Sequence, residues 1–562
     1  STTAQTLTIY AADTGLEQVV IGTAAGVTTG TTAESVNASL AVNGLTITGN
    51  DGANTLTGTA FADTINGGSG VDTIVGGAGA DTIAGGASTD IMNGGAGDDI
   101  YLVAAGDHAA AEIADTGGDA ADVVRFTSTT AQTLTIYAGD TGLEQVVIST
   151  AAGATTGTTA EVVNAAAAVN ALTITGNDGA NTLTGTAFAD TINGNAGNDT
   201  ITGGAGADVM NGGAGNDIYV IAAGDHTAGE IADSGGDAAD VVRFTSTTAQ
   251  TLTIYAADTG LEQVVIGTAA GVTTGTTAES VNASLAVNAL SITGNAGANA
   301  LTGTAFDDTI SGNAGNDTIT GGAGTDTMNG GTGNDIYLIA AATDHGAAEI
   351  ADTGGDTADV VRFTSTSAQT LTIYAADTGL EQVVIATAAG LTTGVTAENV
   401  DASAVANALT LTGNDGANVL TGGAFADTIN GGADVDTIFG GAGADAIAGG
   451  SGTDVMDGGS GNDIYLLAAG EHAAAEIADS GGDTADVVRF TSITAQTLTI
   501  YAGDTGLEQV VIGTAAGVTT GTTAESVNAS LAVNGLAITG NAGANTLTGS
   551  GFADTIIGGA GI

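Results

Sequence analysis

From Gly49 to Leu102 the chain reads GNDGANTLT, GTAFADTIN, GGSGVDTIV, GGAGADTIA, GGASTDIMN and GGAGDDIYL, six nine-residue units in one frame. Glycine stands at position 1, often at 2, and at 4; Asp follows at 6 and an aliphatic residue at 8. Glycine supplies positive φ without a Cβ penalty, so the first six residues can form a tight turn with carbonyls pointing inward. The triplet after it, such as Asp72-Thr73-Ile74 continuing to Val75, suits a very short strand with one inward side chain. One buried apolar residue per unit explains why aromatics are only 3% of the chain.

The units recur in runs. The second run has five, from Gly176 to Val220, the third five, from Gly294 to Leu338, and the fourth six, from Gly413 to Leu466. A fifth starts at Gly540 and stops inside its third unit at Ile562. Around the runs a longer repeat is visible, because STTAQTLTIY at Ser1 returns at Ser128 and Ser246, and in variant form at Ser365 and Ser492. Repeats therefore span 1–127, 128–245, 246–364 and 365–491, with a partial fifth over 492–562. The first and fourth exceed the second by one unit, as the counts of units in their runs require. The third exceeds the second by a single residue, which lies in IAAATDH, ending at His345. Both ends cut through the pattern, which predicts a window on a longer protein or a processed and assembled form of one. Export cannot be read from the missing leader.

Composition narrows the functions. The 562 residues hold four Arg, no Lys and 62 acidic residues, a formal charge of −58, with no Cys, Pro or Trp. A nucleic-acid partner is excluded for want of a basic surface. Membrane insertion is not expected, since no stretch of 18 apolar residues occurs. Disulfides and thiolate metal sites are absent. The hydrophobic share of 43% against 12% charged favours order over an acidic disordered polymer.

If two units make one coil, Asp72 stacks on Asp90. Carboxylates at strand spacing repel unless a hard cation bridges them, and oxygen ligands of this kind suit calcium better than magnesium. At these residues the chain resembles the RTX (repeats-in-toxin) family, whose nonapeptide is GGxGxDxUx. The resemblance covers about 40% of the chain and implies an all-β fold: a calcium-loaded, right-handed parallel β-roll or β-solenoid in tandem repeats, with β-rich segments between. It implies that the position-6 Asp gives carboxylate oxygen to calcium while the glycine turn gives carbonyls.

The best matches are Asp72, Asp81 and Asp99; Asp199, Asp208 and Asp217; Asp317, Asp326 and Asp335; and Asp445, Asp454 and Asp463. Asp90 and Asp436 follow turns in which Ser88 and Asp434 replace the fourth-position Gly. Asp63, Asp190, Asp308, Asp427 and Asp554 lie in units with Phe in place of that Gly, at Phe61 and its equivalents, and are read as weaker, capping positions. Each opening unit has Asn at position 6, as at Asn54, and each full run ends in Tyr (Tyr101, Tyr219, Tyr337, Tyr465), read as a plug where the roll stops. With one site per pair of units a coil apart, the four complete runs would hold roughly 14 ions and offset about 28 negative charges. Sites of this class bind at roughly 10⁻⁴ to 10⁻³ M, which couples folding to export.

The intervening segments, as from Val103 to Thr175, carry strand-like bursts: DVVRF at Asp122, QTLTIY at Gln132, LEQVVI at Leu143 and LTIT at Leu172. GGDAADVVR at Gly117 is itself a degenerate unit with Asp122 at position 6, matched by Asp240, Asp359 and Asp486, which points to continued β-structure with the solenoid running through the segment. An odd run leaves the chain on the opposite side of the roll from an even one, and identical segments must follow both. Each full repeat has one His (His108, His226, His345, His472), expected in a surface loop, and one Arg (Arg125, Arg243, Arg362, Arg489), expected to pair with a carboxylate. No HExxH, GxSxG or P-loop is present, so no enzyme is expected. TTGTTAES at Thr28, with Asn37-Ala38-Ser39 after it, is an exposed stretch where glycan contact is conceivable.

These features predict a non-catalytic, calcium-rigidified extracellular or cell-surface protein, exported by type I secretion and self-associating into a filament, surface layer or adhesin stalk. The alternatives are the calcium-binding tail of a secreted enzyme and a ligand-binding adhesin.

Overall fold

The computed structural model describes residues 3–237 and 239–561. Ser1, Thr2, Ala238 and Ile562, which include both chain ends read above as cuts, lie outside the described residues. The chain divides into two compact units, residues 1–273 with 285–287 and residues 274–284 with 288–562. Each is a parallel β-solenoid, and the boundary between them does not follow the repeat boundaries. Helix is confined to one 3₁₀ turn, Ala342–Asp344, among the described residues. That turn absorbs the extra residue of the third repeat.

In the first unit, strands on one face run Thr6–Thr8, Ser35–Asn37, Thr55–Thr57, Thr73–Ala78 and Ile91–Ala96, each parallel to the next. The other face carries Thr46–Thr48, Thr64–Ser69, Thr82–Ala87 and Ile100–Ala104. Ile65 pairs with Ile83 and Ile74 with Met92, each with its counterpart in the next nonad but one, so two nonads do make one coil. Position 8 points inward. Ile47, Ile65, Ile83, Tyr101, Val124, Val146, Ile174, Ile192 and Met210 form a single file of register partners, each no more than 1% exposed. This file is the core on that face, and it runs through the segment between the nonad runs without a break. Each nonad contributes one such side chain, which is why so few bulky residues suffice.

The intervening segment is therefore solenoid as well, with larger coils. More chain separates the partners at Ile100↔Val123, Val123↔Gln145 and above all Gln145↔Thr173 than in a nonad pair, and the two-nonad coil returns at Thr173↔Thr191. All four strand-like bursts are strands. A fifth strand, Val162–Asn164, was not foreseen, although its alternating burial follows the same pattern as the others.

The parity of the nonad run is met by a simple rule. The Val-Val-Arg-Phe strand pairs with whichever strand ends the run: Ile100↔Val123 after six nonads and Ile218↔Val241 after five. The strand of the penultimate nonad (Ile91–Ala96, Val209–Ala214) ends its own sheet, and in the first segment a new sheet starts at Thr133–Thr135. In the second unit the same holds at Ile336↔Val360 and Ile464↔Val487, with new sheets from Thr370–Thr372 and Thr497–Thr499. Tyr101 consequently does not plug an end of the roll. It is fully buried where the coil widens, its hydroxyl donating to Asp115 Oδ1 at 3.0 Å and accepting the Gly94 N–H at 2.7 Å.

Candidate metal centre

The turn before each aspartate depends on backbone that only glycine adopts freely. Gly77 (φ 124°) and Gly79 (φ 106°) shape the turn ahead of Asp81, and a Cβ on Gly77 would lie 1.9 Å from the Thr59 carbonyl oxygen one coil below. Where Ser88 and Asp434 replace the position-4 Gly the same turn persists under strain, at φ 107° and 71°, whereas the Phe that stands there in Phe61 and its equivalents does not adopt positive φ. The turns ahead of Asp90 and Asp436 are thus formed.

Each position-6 aspartate except the part-exposed Asp554 is buried, and each is joined to the neighbouring coil by a backbone donor. The Asn54 N–H donates to Asp72 Oδ1 (2.6 Å), Asp63 N–H to Asp81 Oδ1 (2.8 Å), Asp72 N–H to Asp90 Oδ1 (2.8 Å) and Asp81 N–H to Asp99 Oδ1 (2.7 Å). Asp199, Asp208 and Asp217, then Asp317, Asp326 and Asp335, and finally Asp436, Asp445, Asp454 and Asp463 take the same bond from the coil before.

The second oxygen separates three groups: a buried orphan in eleven ladder acids, bonded to backbone in the nonads that carry Phe, and neither in Asp90, Asp208 and Asp454, which share the Oδ1 bond but do not present a buried orphaned Oδ2. In Asp72, Asp81, Asp99, Asp199, Asp217, Asp317, Asp326, Asp335, Asp436, Asp445 and Asp463, Oδ2 is buried without a hydrogen-bond partner. It faces the bare position-1 glycine of its own nonad: a Cβ on Gly76 would lie 2.2 Å from Asp81 Oδ2 and 2.5 Å from the Gly94 carbonyl oxygen. An orphaned carboxylate oxygen beside an inward carbonyl, in space no side chain fills, is a donor set that fits calcium. Among the described residues no three His, Asp or Glu side chains converge in metal-holding geometry. A cation here would take one or two ladder carboxylates and complete its shell from turn carbonyls. Bound there, calcium supplies the positive charge that the buried ladder lacks.

Asp63, Asp190, Asp308, Asp427 and Asp554 differ. Asp63 Oδ1 accepts the Leu45 N–H and Oδ2 the Thr59 N–H, each at 2.6 Å. The other four repeat this arrangement. With both oxygens taken by backbone donors these residues close turns inside a continuous solenoid, so they neither cap the roll nor present the orphaned oxygen expected of a ligand. Phe61, which displaces the glycine in that nonad, is 47% exposed.

Electrostatics mark the ladder as under-compensated. Burial pushes the carboxyls of Asp72, Asp81, Asp199, Asp217, Asp317, Asp436 and Asp445 up to about 7, above the ordinary 3.8, and N–H donors only partly oppose it. Asp90, Asp99, Asp208, Asp326 and Asp335 rise to about 6 for the same reason, with nearby carboxylates adding to the shift.

Two expectations are corrected. The histidines are not in surface loops: the His108 side chain is buried between two carboxylates, Nδ1 at 3.1 Å from Glu112 Oε2 and Nε2 at 3.0 Å from Asp140 Oδ2, with Tyr137 packed on the ring. His226, His345 and His472 repeat the cluster. The carboxylates flank opposite ring nitrogens, so the cluster is an ion-pair clamp rather than a chelate. The short spacing from His108 to Glu112 was legible; the distant partner, Asp140, was not. The arginines hydrogen-bond not to a carboxylate but to carbonyls across a loop, as from Arg125 Nη1 to Ala151 at 3.0 Å, and Arg243, Arg362 and Arg489 do the same.

A chain of stacked half-coils, with a buried acid on each glycine turn, is a repeat protein of the parallel β-roll class. The chain carries RTX calcium-binding nonapeptide repeats: that family's model matches residues 48–83, 66–101, 175–209, 184–219, 302–337, 412–447, 434–465 and 539–561. No curated protein matches the chain. Residues 102–174, 220–301, 338–411 and 466–538 lie outside the family matches.

Proposed function

We propose that this chain is a non-catalytic structural protein, a calcium-rigidified solenoid that works outside the cell as part of a filament, surface layer or adhesin stalk. The observation that carries the reading is the orphaned Oδ2 of the ladder, repeated at one register in all four complete runs. A buried acid copied this way acts in holding coils together, whereas an active site has no need of copies. The ladder needs calcium at concentrations found outside cells, and secretion by a type I system is the route usual for RTX repeat proteins. No helix of the described residues is long and apolar enough to cross a membrane. Near-identical repeats with exposed edges favour self-association, and the acidic surface disfavours nucleic acid.

Electron microscopy of the purified chain in a few millimolar calcium and after chelation, with circular dichroism in parallel, tests this. Calcium-dependent filaments or sheets that lose β-signal on chelation are the expected result. Folded, dispersed monomers would remove the polymer and bring forward the stalk, enzyme-tail or glycan-binding readings. Unchanged β-structure after exhaustive chelation would remove calcium from the account.

A further inference from the structure

The ladder does not stop at the last nonad. The Asp99 N–H donates to Asp122 Oδ1 at 2.7 Å, across the first of the wider coils, and the Asp122 N–H in turn donates to Glu144 Oε2 at 3.0 Å. Asp122 is fully buried, and its Oδ2, like that of Asp99 below it, has no hydrogen-bond partner. The same pair of consecutive orphaned oxygens recurs at Asp217 and Asp240, Asp335 and Asp359, and Asp463 and Asp486.

The surroundings are acidic and preorganised. Asp115 Oδ1 is held by the Gly95 N–H and the Tyr101 hydroxyl, and Asp119 Oδ2 by the Gly97 N–H. Asp99, Asp115 and Glu144 all lie within electrostatic reach of Asp122. A Cβ on Gly117 would fall 1.6 Å from the Gly95 carbonyl oxygen and 2.6 Å from Asp119 Oδ2, so the degenerate Gly-Gly turn also leaves open space beside a carbonyl and a carboxylate, here that of Asp119 rather than of the position-6 Asp122. The one arginine of the repeat, Arg125, is directed to the Ala151 carbonyl instead.

We propose that each junction between a nonad run and the following segment holds a further divalent cation, calcium, between the carboxylates of Asp99 and Asp122 and their counterparts. Glu144 is a positioning residue that fixes the Asp122 backbone. The site joins the nine-residue coils to the wider ones that follow, in residues the nonapeptide family does not cover. It rests on the calcium reading of the ladder.

Terbium(III) titrated into the full-length chain tests it, because Tyr101, Tyr219, Tyr337 and Tyr465 place a sensitiser at each junction. The wild type should emit on tyrosine excitation. Changing Asp122→Asn, Asp240→Asn, Asp359→Asn and Asp486→Asn together should cut that emission by about half or more, leave directly excited emission from the nonads, and lower calcium held at equilibrium dialysis by about four ions per chain. Should that variant lose its β-signal, Glu144→Gln with Glu262→Gln, Glu381→Gln and Glu508→Gln decides, with an expected weakening of those ions by about tenfold. A folded variant with wild-type calcium count and tyrosine-excited emission overturns the junction site alone. A wild type that binds neither ion overturns it together with the ladder reading.

Discussion

Asp72 donates its backbone N–H to Oδ1 of Asp90, 2.8 Å away and one coil on, while Oδ2 of Asp72 itself meets no donor. In the eleven ladder acids with an orphaned Oδ2, one oxygen thus stitches neighbouring coils and the other is open to a cation. This division of labour yields a contrast between neighbouring nonads.

Asp81→Asn and Asp63→Asn should separate. The first replaces an orphaned oxygen, and calcium held at equilibrium dialysis should fall by about one or two ions per chain, with a loss of about 1–3 kcal/mol in millimolar calcium by denaturant titration. Asp63 has both oxygens bonded to backbone, so its substitution should leave the calcium count unchanged.

The metal-free and calcium-loaded forms should respond to pH in opposite directions. Folding raises the Asp72 and Asp81 carboxyls from 3.8 to about 7. A raised folded value means that the native state binds the proton more tightly, so the stabilisation is complete below about pH 4 and is lost as pH rises through about 7. In millimolar calcium the ion must displace those protons, and stability should fall as pH drops below about 7. Thermal melts of dialysed and calcium-loaded protein between about pH 4.5 and 8 check both signs.

The histidine clamp makes a separate prediction. Burial alone would lower the His108 value, but hydrogen bonds and charge from Asp140 and Glu112 outweigh it and the imidazolium is favoured. The contribution is present below the ordinary 6.5 and fades as pH rises through the raised value. His108→Ala, which leaves Glu112 and Asp140 buried without their partner, should cost about 3–5 kcal/mol. Proton titration of the His108 ring by NMR should give a midpoint above 6.5.

Ser88→Gly should stabilise the first run by about 1–2 kcal/mol, since Ser88 sits at φ 107° in a turn that glycine enters freely. A raised calcium-loaded melting temperature is the readout.

The nine-residue frame and the ladder aspartates were legible because each rests on local chemistry: glycine at positive φ, one inward aliphatic residue per strand, one acid per turn; the two-nonad coil came only with the family resemblance. Four of the five link strands were legible for the same reason. The passage of the solenoid through the links was legible from the degenerate unit at Gly117, but how the links follow runs of either parity was not, since it depends on which strands meet. Only the fold shows that Val123 joins the face of Ile100, so that odd and even runs are followed by identical segments. The split between Asp63 and Asp81 likewise hangs on a nearby donor, the Thr59 N–H, that the turn brings within reach in one nonad and not in the next.

Sequence alone thus dictates the repeat, its all-β character and its acid at every turn, because period and residue type are properties of the chain read in order. The contacts from Asp99 to Asp122 and from His108 to Asp140 exist only once the coils are stacked, and no spacing along the chain encodes them, because the wider coils set their own lengths.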